Sequence, residues 1–530
     1  MAFPVTAERG GHAEALSSGA ANSTTKTNDG SHDNRDACTF NGNREETRMQ
    51  EKGQELSRVR LAARHARLAS QRLQTSTLEE RNAALVAYKE GLLHFREEIE
   101  AANARDIEAA TAAVSAGEIS SALLKRLDCR GKKFESLLHG LDTLIAQGDP
   151  LGTCDLATEL AADLELFRVS CPIGVLAVIY EARPEAAVQV ASLALKTGNA
   201  LLLKGGKEAK ESNRAVYKAL TWGLEKATTS SISKDALQLL EERDEVKEML
   251  RLDEDVDLVI PRGSNSLVKY IKENTRIPVL GHADGLCHIY VDADADLGKA
   301  LKIIEDAKLQ YVAACNTVES LLVHSAVPSK FLPSLVSSLA PLGVSFKLDS
   351  LAFSFVEAHG DEVLEKHGGA LARANEQDFH TEWLAPVLSV KVVGSLEDAI
   401  AHINSHGSHH TDCIITENRE HVQRFMRGVD SAGVYCNCST RFADGYRYGF
   451  GAEVGVSTNK LHARGPVGVH GLVTYKYCLF GDGHTVADFE AGRTSYTHRP
   501  LDREEVAESK RKLSTLEEIE ERELQRKHQN

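Results

Sequence analysis

Short apolar runs alternate with longer amphipathic segments between about residues 175 and 280. The runs at residues 175–180, 200–203, 256–260 and 277–280 have the length of buried strands. Helices are predicted between and beside these runs at residues 185–197, 212–226 and 267–273. Buried strands that alternate with helices are typical of a parallel α/β sheet. The pattern therefore predicts a first α/β region in this part of the chain.

A second α/β region is predicted from residue 288 onward. Its strands are expected at residues 288–291, 320–323, 388–392, 413–416 and 434–437. Its helices are expected at residues 297–308, 396–402 and 419–427. A glycine-rich stretch at 445–455 then leads to a β-type segment at 471–477. The chain thus contains two sheets of the same kind and a further β element.

The remaining segments have other compositions. Residues 1–55 are polar and nearly free of aliphatic side chains, so they cannot bury enough apolar surface to order and are predicted to be disordered. Residues 61–144 repeat alanine, leucine, glutamate and arginine at helical spacing. Residues 503–527 are rich in glutamate, lysine and arginine, which predicts a solvated helix or a frayed tail.

The composition of the 530-residue chain is that of a globular protein with more than one folding unit. Apolar residues make up 42% and charged residues 26%, and the formal net charge is −15. The negative charge argues against binding to nucleic acid or to an anionic membrane. No apolar run reaches the ~18 residues of a membrane-spanning helix, and the N-terminal segment lacks a signal core and contains acidic residues. We therefore expect a cytoplasmic protein.

Ten cysteines are dispersed along the chain, which does not suit a disulfide scaffold. A buried small hydrophobe is the simpler interpretation for any one of them. Cys315 stands in a different context, because it lies in a predicted loop among small residues and is followed by Asn316. Open space and nearby N–H donors suit a nucleophile that forms an oxyanion. On this evidence alone, a structural loop cysteine remains the alternative.

Two turns at strand ends are candidates for binding a dinucleotide. Residues 204–208, which include Lys204, Gly205 and Lys207, follow a strand at the edge where α/β sheets bind cofactors. Gly263 and Ser264 precede a helix whose first N–H groups could hold a pyrophosphate. A turn with solvated lysines and an ordinary helix cap are the respective alternatives. The G-x-G-x-x-G fingerprint is absent, which disfavours a standard Rossmann dehydrogenase.

Two arginines are candidates for binding an anionic substrate. Arg183 follows the first strand of the sheet, and Arg441 lies in the glycine-rich connection near the end of the second region. The planar guanidinium suits a carboxylate or an acyl phosphate, although a surface arginine and a paired arginine are the alternatives. His406, His409 and His410 match no common zinc spacing and are interpreted as part of a polar turn, so no metal site is predicted.

These segments together resemble the γ-glutamyl phosphate reductase family, also called glutamate-5-semialdehyde dehydrogenases, within the aldehyde dehydrogenase superfamily. The resemblance runs in order from about residue 58 to residue 485. The motifs that carry it are Cys171-Pro-Ile-Gly-Val-Leu-Ala-Val-Ile-Tyr-Glu-Ala-Arg-Pro184, Leu195-Lys-Thr-Gly-Asn-Ala200, Ile260-Pro-Arg-Gly263, Cys287-His-Ile-Tyr-Val291, Cys315-Asn-Thr-Val-Glu319, the stretch from Val393 to Asp412, Phe450-Gly-Ala-Glu-Val454 and Lys460-Leu-His-Ala-Arg-Gly-Pro466.

The resemblance implies an aldehyde-dehydrogenase-like α/β fold with a Rossmann-like cofactor domain, an α/β catalytic domain and a small β element for oligomerisation. The expected boundaries are residues 56–281 for the NADP-binding domain, with part of the oligomerisation hairpin near 152–170, and residues 282–470 for the catalytic domain. Residues 471–485 are expected to form the oligomerisation strand and residues 486–530 a charged C-terminal tail. A homo-oligomer, dimer or tetramer, is expected.

The resemblance also implies roles for individual residues. Cys315 is the nucleophile, with its own N–H and the amide of Asn316 as oxyanion donors. The residues implied to contact NADPH or NADP are Lys204 and Gly205 at the adenosine ribose, Gly263 and Ser264 at the pyrophosphate, and Glu382 at the nicotinamide ribose. Lys207 is inferred from its charge to accept a 2′-phosphate. Arg183 and Arg441 are hypothesised to bind the anionic groups of an acyl phosphate.

The implied reaction is the NADPH-dependent reduction of L-glutamyl 5-phosphate to L-glutamate 5-semialdehyde through a cysteine thioester, the second step of proline biosynthesis from glutamate. Hydrolytic aldehyde dehydrogenases place a glutamate in the segment that reads Leu280-Gly-His-Ala-Asp-Gly285 here. That base is missing, which disfavours hydrolysis and leaves the role of His282 open.

Other interpretations differ in class. A catalytically silent binding protein of the same fold is disfavoured because Cys315, Glu382 and Lys204 are present. A fused glutamate kinase is not expected, because a 55-residue leader is too short to form one. Association with a separate glutamate kinase is a hypothesis that follows from the lability of acyl phosphates.

Overall fold

The structure of the chain is a computed structural model that describes residues 57–502 and 505, except 118, 120, 228–231, 283 and 360. The predicted disorder of residues 1–55 lies outside the described residues, as does the predicted helix or tail from residue 503 apart from residue 505.

The described residues form the following helices and strands, numbered in chain order. The helices are α1 (Arg58–Leu73), α2 (Leu78–His94), α3 (Arg96–Ser115), α4 (Ser121–Leu127), α5 (Lys132–Ala146), α6 (Pro184–Lys196), α7 (Lys210–Lys226), α8 (Arg243–Met249), α9 (Asn265–Asn274), α10 (Leu297–Leu309), α11 (Pro328–Leu339), α12 (Ser350–His359), α13 (Asp361–His367), α14 (Leu396–His406), α15 (Arg419–Gly428) and α16 (Val486–Glu490). The strands are β1 (Cys154–Ala161), β2 (Leu164–Pro172), β3 (Val175–Tyr180), β4 (Ala200–Lys204), β5 (Leu237–Leu240), β6 (Leu258–Arg262), β7 (Cys287–Val291), β8 (Val318–His324), β9 (Ser345–Leu348), β10 (Leu371–Arg373), β11 (Val387–Val393), β12 (Thr411–Ile415), β13 (Gly433–Cys436), β14 (Val456–Ser457), β15 (Gly465–Pro466), β16 (Val473–Phe480) and β17 (Arg499–Pro500).

Helices α1 to α5 confirm the helical pattern between residues 61 and 144. Helix α2 begins at a reciprocal cap, because the Thr77 hydroxyl accepts the N–H of Glu80 and the Glu80 carboxylate accepts the N–H of Thr77. Buried side chains of these helices, such as Leu85 and Phe134, join the core around the first parallel sheet. The helical segment is therefore part of that core.

The first parallel sheet has the strand order β5-β4-β3-β6. Its central strand β3 is buried along its whole length, which is why the sequence shows an unbroken apolar run there. Tyr180 at the end of β3 is the register partner of Arg262 at the end of β6. The carboxyl ends of these two strands thus deliver Arg183 and Gly263 to one edge of the sheet.

The predicted strand at residues 277–280 is wrong. This segment makes a single bridge, between Val279 and Val259. The Val259 N–H donates to the carbonyl of Pro278, and the Leu280 N–H donates to the carbonyl of Val259. Because Pro278 has no N–H to donate, the ladder does not extend.

The second parallel sheet has seven strands in the order β10-β9-β11-β8-β7-β12-β13. The five strands predicted for this region are confirmed, each within two residues at either end. They are β7, β8, β11, β12 and β13. The elements between residues 328 and 373 were not predicted, because short apolar runs there do not distinguish helix from strand and Pro333 lies inside α11. Strand β5 and helix α8 were not predicted because each is short.

A small antiparallel sheet has the order β16-β2-β1-β17. Strand β16, predicted as a β-type segment at 471–477, pairs with β2 over eight residues from Val473 to Phe480. The predicted tail from residue 486 needs correction at its start, because α16 is helical and Arg499 and Pro500 pair with β1.

The division into domains at residues 281 and 470 stays a prediction. Among the described residues, no helix has both the length and the apolarity to cross a bilayer.

Candidate active site

Cys315 lies in the loop between α10 and β8, at the amino end of the second parallel sheet. The loop is fixed at its end, because the Thr317 hydroxyl donates to the carbonyl of Tyr311 at 2.7 Å and the Thr317 N–H donates to that of Ala314 at 3.0 Å. The thiol is partly exposed. Within the described part of the chain, the backbone N–H groups of Cys315 and Asn316 donate no hydrogen bond, so they are available to an oxyanion.

Gly285 lies directly against the backbone of Cys315. A Cβ atom built at Gly285 would be 2.2 Å from the carbonyl oxygen of Cys315 and 2.6 Å from its Cα. No L side chain fits at such a distance, so this glycine allows the nucleophile loop to approach the segment before β7. The backbone itself, not a mobile side chain, blocks the position.

Gly285→Ala is therefore expected to displace the Cys315 loop and to lower turnover by at least about 100-fold, since misplacement by about 1 Å has that effect. Gly148→Ala controls for the chemical change, because this exposed glycine has no positive φ and a Cβ there meets nothing within 4 Å. Steady-state rates of both variants, with a crystal structure of Gly285→Ala, check this prediction. Wild-type activity with an unmoved loop would refute it.

Two histidines flank the thiol of Cys315. The ligating atoms of His282, Cys315 and His410 all lie within 4.8 Å of one another. His282 follows β6 and α9 in a loop, where its Nδ1 is 2.8 Å from the carbonyl oxygen of Val456. His410 immediately precedes β12 and is fully buried, with its Nδ1 2.9 Å from the Thr411 hydroxyl. A backbone carbonyl thus holds the imidazole of His282 beside the sulfur, and a side-chain hydroxyl holds that of His410.

The electrostatics of this group favour a thiolate. Burial by itself raises the pKa of Cys315, but the charges and hydrogen bonds of His410 and His282 outweigh it and hold the pKa well below its usual range. Burial lowers the pKa of His282, yet the neighbouring thiolate raises it overall to about 9. The predominant state at neutral pH is therefore a thiolate beside an imidazolium.

Asn316 does not present its amide to the sulfur as the sequence suggested. Its side chain is buried, and its Nδ2 donates to the carbonyl of Ala443 at 2.9 Å. The carbonyl of Asn316 accepts the Thr440 hydroxyl at 2.7 Å. Asn316 therefore anchors the nucleophile loop to the turn at 440–443, and the oxyanion role falls to backbone N–H groups.

Glu382 belongs to the same electrostatic neighbourhood. Burial raises the pKa of its carboxyl to about 7, and the Cys315 thiolate contributes to the increase while His282 opposes it. The N–H of Gly285 also stabilises the carboxylate. The structure thus brings Glu382 near Cys315 and His282, and its implied contact with the nicotinamide ribose stays a prediction.

The two predicted cofactor turns lie at the carboxyl ends of β4 and β6. Lys204 is half-buried, and burial lowers the pKa of its amine. Gly205 is tightly enclosed, since a Cβ there would meet the Asn213 amide at 2.0 Å. A cavity beside this turn is lined by Gly205, Lys207 and Asn213 among others. The cavity is small, about 10 Å³, so these residues line the strand end closely.

The turn after β6 differs from the expectation of a free helix N-terminus. The N–H of Ser264 donates to a carboxylate oxygen of Glu181 at 2.7 Å, and the Ser264 hydroxyl is 3.3 Å from the other oxygen. A Cβ on Gly263 would be 2.5 Å from the same carboxylate. The prediction that this N–H is free is wrong, because Glu181 occupies the position that an anion would take.

Arg183 and Arg441 both interact with Tyr311, which lies four residues before Cys315. Burial lowers the pKa of Arg183, and Tyr311 is among the groups that influence it. The guanidinium carbon of Arg441 lies 6.0 Å from the Tyr311 ring centroid, and its Nε donates to Gln310. The structure therefore places both predicted arginines beside the nucleophile loop.

The three histidines predicted to share a polar turn have separate environments. His406 ends α14 and pairs with Glu376, and His409 has its Nδ1 2.6 Å from the carbonyl oxygen of Asp430. Only His410 reaches Cys315. The sequence did not indicate this role of His410, because the role depends on strands β7, β8 and β12 lying side by side in the sheet. These strands are far apart along the chain. The one available signal was its position directly before a buried strand.

Comparisons with known proteins agree with this geometry. The family model described as "Aldehyde dehydrogenase family" matches residues 32–353 and 372–455. A γ-glutamyl phosphate reductase of Nostoc punctiforme is 47% identical over 440 residues, which cover 83% of this chain and 97% of that protein. One from Synechococcus sp. is 50% identical over 434 residues, with 82% and 91% covered. The crystal structure of γ-glutamyl phosphate reductase from Thermotoga maritima has a TM-score of 0.73 at 36% identity, covering 81% of this chain and 100% of that one.

Proposed function

Because the chain belongs to the aldehyde dehydrogenase family and, within it, to the γ-glutamyl phosphate reductases, we propose that it reduces L-glutamyl 5-phosphate to L-glutamate 5-semialdehyde and phosphate with NADPH. The predicted aldehyde-dehydrogenase-like α/β fold is confirmed by the same likenesses. This reaction is the second step of proline biosynthesis from glutamate. The observation that carries the proposal is the Cys315 thiolate between His282 and His410, beside unbonded N–H groups.

The first half of the reaction is acyl transfer to Cys315. The thiolate attacks the acyl carbon of the mixed anhydride, and the N–H groups of Cys315 and Asn316 stabilise the oxyanion that forms. The bond between the acyl carbon and the phosphate oxygen then breaks, and its electron pair leaves with phosphate. A thioester on Cys315 results.

The second half is reduction of that thioester. NADPH, held by the residues proposed below, would supply the hydride that the thioester carbonyl carbon accepts. The same N–H groups stabilise the resulting thiohemiacetal oxyanion, which collapses by expelling the Cys315 thiolate and releasing the aldehyde. The imidazolium of His282 stabilises the returning thiolate, which closes the cycle.

The segment around His282 supports acyl exchange with phosphate in preference to water. A hydrolytic relative carries a glutamate general base there, and this chain has none. The raised pKa of His282, about 9, belongs to the free enzyme, because the Cys315 thiolate raises it and acylation removes that charge. The missing glutamate base, and not the charge of His282, is therefore why we expect the thioester to survive until hydride or phosphate reaches it.

The aldehyde dehydrogenase family uses nicotinamide cofactors, and the residues of the first sheet fit one. We propose that Lys204 and Gly205 contact the adenosine ribose and that Glu382 contacts the nicotinamide ribose. Gly263 and Ser264 would meet the pyrophosphate once the Glu181 carboxylate moves aside, since both anions need the same N–H.

Lys207 is proposed to discriminate NADPH from NADH. It is exposed at the rim of the cavity beside β4, where its charge can pair with a 2′-phosphate. Lys207→Gln is expected to raise KM for NADPH about tenfold, the effect of losing ~1.4 kcal/mol, with little change for NADH. Lys234→Gln, an exposed lysine paired with Glu225, is the control. An equal increase for both cofactors would contradict the proposal.

Arg183 and Arg441 are proposed to bind the substrate's anionic groups, which suits their positions beside the nucleophile loop.

A homo-oligomer is proposed to form through the antiparallel sheet, whose strand β16 exposes Tyr475, Tyr477 and Leu479. Association with a glutamate kinase and a cytoplasmic location stay predictions from the sequence. Unchanged proline flux when the two enzymes are kept apart would count against the association.

The reverse reaction tests the proposed function. Purified protein is mixed with glutamate 5-semialdehyde, NADP⁺ and phosphate, and formation of reduced cofactor is followed by absorbance. Reduction of NADP⁺ that depends on phosphate is expected. Turnover without phosphate would instead identify a hydrolytic dehydrogenase, and no turnover by folded protein would favour a silent binding protein.

A further inference from the structure

Arg262, the last residue of β6, has a guanidinium that no protein acceptor engages within the described part of the chain. The loop that precedes β14 packs against its side chain. A Cβ on Gly455 would be 3.1 Å from both Cδ and Nε of Arg262, and Gly455 has φ +148, which favours glycine. The loop thus approaches the side chain closely without accepting a hydrogen bond from its guanidinium.

A second guanidinium without a hydrogen-bond partner follows the neighbouring strand. The Glu181 N–H donates to the carbonyl of Arg262 at 3.0 Å, and Arg183 lies two residues further along the chain. Arg183 also donates no hydrogen bond to the described residues, and burial together with the charges of Arg262 and Arg126 lowers its pKa. Arg126 itself is engaged, because it donates to the carbonyl of Ala313 at 2.9 Å. Two neighbouring cations without protein partners are costly unless an anion joins them.

Nearby carboxyls do not supply that anion in full. Glu453, whose carboxyl interacts electrostatically with Arg262 and Cys315, accepts the N–H of Gly445 at 2.7 Å. Among the described residues, neither Glu453 nor Glu185 is hydrogen-bonded to either guanidinium, and Oε2 of Glu185 is buried without a partner. The N–H donors of Arg183 and Arg262 therefore stay available to a further ligand.

We propose that Arg262 and Arg183 together form an oxyanion subsite that receives the phosphate of the acyl phosphate, with Arg262 as a substrate-binding residue. A phosphate carries about two negative charges and three acceptor oxygens, which matches two guanidinium forks better than a single carboxylate does. Arg441, whose Nε is already bonded to Gln310, is left for the singly charged carboxylate. This inference rests on the proposed function.

The subsite also explains how the leaving group departs. When the bond between the acyl carbon and the phosphate oxygen breaks, the electron pair moves onto phosphate, and the two guanidiniums stabilise the added charge. The helix start at Ser264 cannot take this role in the same state, because Glu181 holds its N–H. The positive charge near Cys315 is thus concentrated in side chains and not in the helix terminus.

Arg262→Gln is expected to raise KM for phosphate in the reverse reaction at least tenfold, with KM for the semialdehyde and for NADP⁺ changed less than threefold. Arg262→Lys should restore part of the effect, since it keeps the charge and loses the fork. Arg130→Gln, an exposed arginine paired with Asp128, is the matched control. An increase confined to NADP⁺ would make Arg262 a cofactor ligand, and one confined to the semialdehyde would make it a carboxylate ligand; either overturns the proposal.

A binding assay without turnover separates this inference from the proposed function. Inorganic phosphate should slow alkylation of Cys315 by iodoacetamide in the wild-type protein and not in Arg262→Gln. If the protein turns over the semialdehyde while phosphate protects both proteins equally, the subsite is refuted and the function stands. If phosphate protects only the wild type and no semialdehyde is oxidised, the subsite stands and the function fails.

Discussion

Cys315→Ala is expected to reduce turnover by at least about 10⁴-fold, because every covalent step of the proposed cycle passes through this sulfur. The fold should survive, since alanine keeps the Cβ and the loop is held by Thr317 and Asn316. Circular dichroism and thermal unfolding of the variant would verify that activity, and not structure, was lost.

Cys154→Ala is the matched control for this substitution. Cys154 is also a partly exposed free cysteine, at the start of β1. It should keep wild-type turnover. Residual activity of more than about one hundredth in Cys315→Ala, at unchanged stability, would show that the reaction does not need a cysteine nucleophile.

Loss of both histidines beside Cys315 is expected to have the second largest effect. In His282→Asn with His410→Asn, the charges and hydrogen bonds that hold the pKa of Cys315 down disappear, and burial alone remains to raise it. A thiol with a raised pKa is protonated at neutral pH, so each unit of increase above the ambient pH lowers the thiolate fraction about tenfold. Turnover and alkylation at pH 7 should fall by about 10- to 100-fold.

The pH dependence of the alkylation rate shows the direction in which the two histidines shift the pKa of Cys315. In the wild type, the pKa of Cys315 is held well below its usual range, so the rate of alkylation should reach its plateau at a lower pH than that of an ordinary thiol. In the double variant, the rate should rise with pH through the alkaline range. His380→Asn, an exposed histidine on another surface, should leave the profile unchanged. A profile of the double variant that matches the wild type would refute the role of the imidazoles.

Much of the fold was predictable because the apolar pattern is strong where strands are buried on both faces. Strand β3 is an unbroken apolar run in the sequence and is buried at all six positions. Residues 277–280 show the limit of that rule. Their apolar side chains pack in the core, but Pro278 prevents a ladder, and composition alone overstated the strand.

The site was predictable only where a residue is marked by its neighbours in the chain. Cys315, Glu382 and the arginines at 183 and 441 came from motifs, and the structure brings them to one region. His410 and Arg262 were missed as site residues because they reach the site across strands that are distant in sequence. Asn316 and Ser264 have different partners from those expected, since Ala443 and Glu181 compete for their polar groups.

The acyl-enzyme is the most direct test of the central claim that Cys315 carries the substrate as a thioester that only phosphate or hydride discharges. The protein is incubated with glutamate 5-semialdehyde and NADP⁺ without phosphate, and its mass is measured before and after phosphate is added. We predict a γ-glutamyl adduct on the peptide that contains Cys315, which persists in buffer and disappears when phosphate is added. An adduct that water removes equally fast, or a reduced cofactor signal with no adduct on Cys315, would contradict the account.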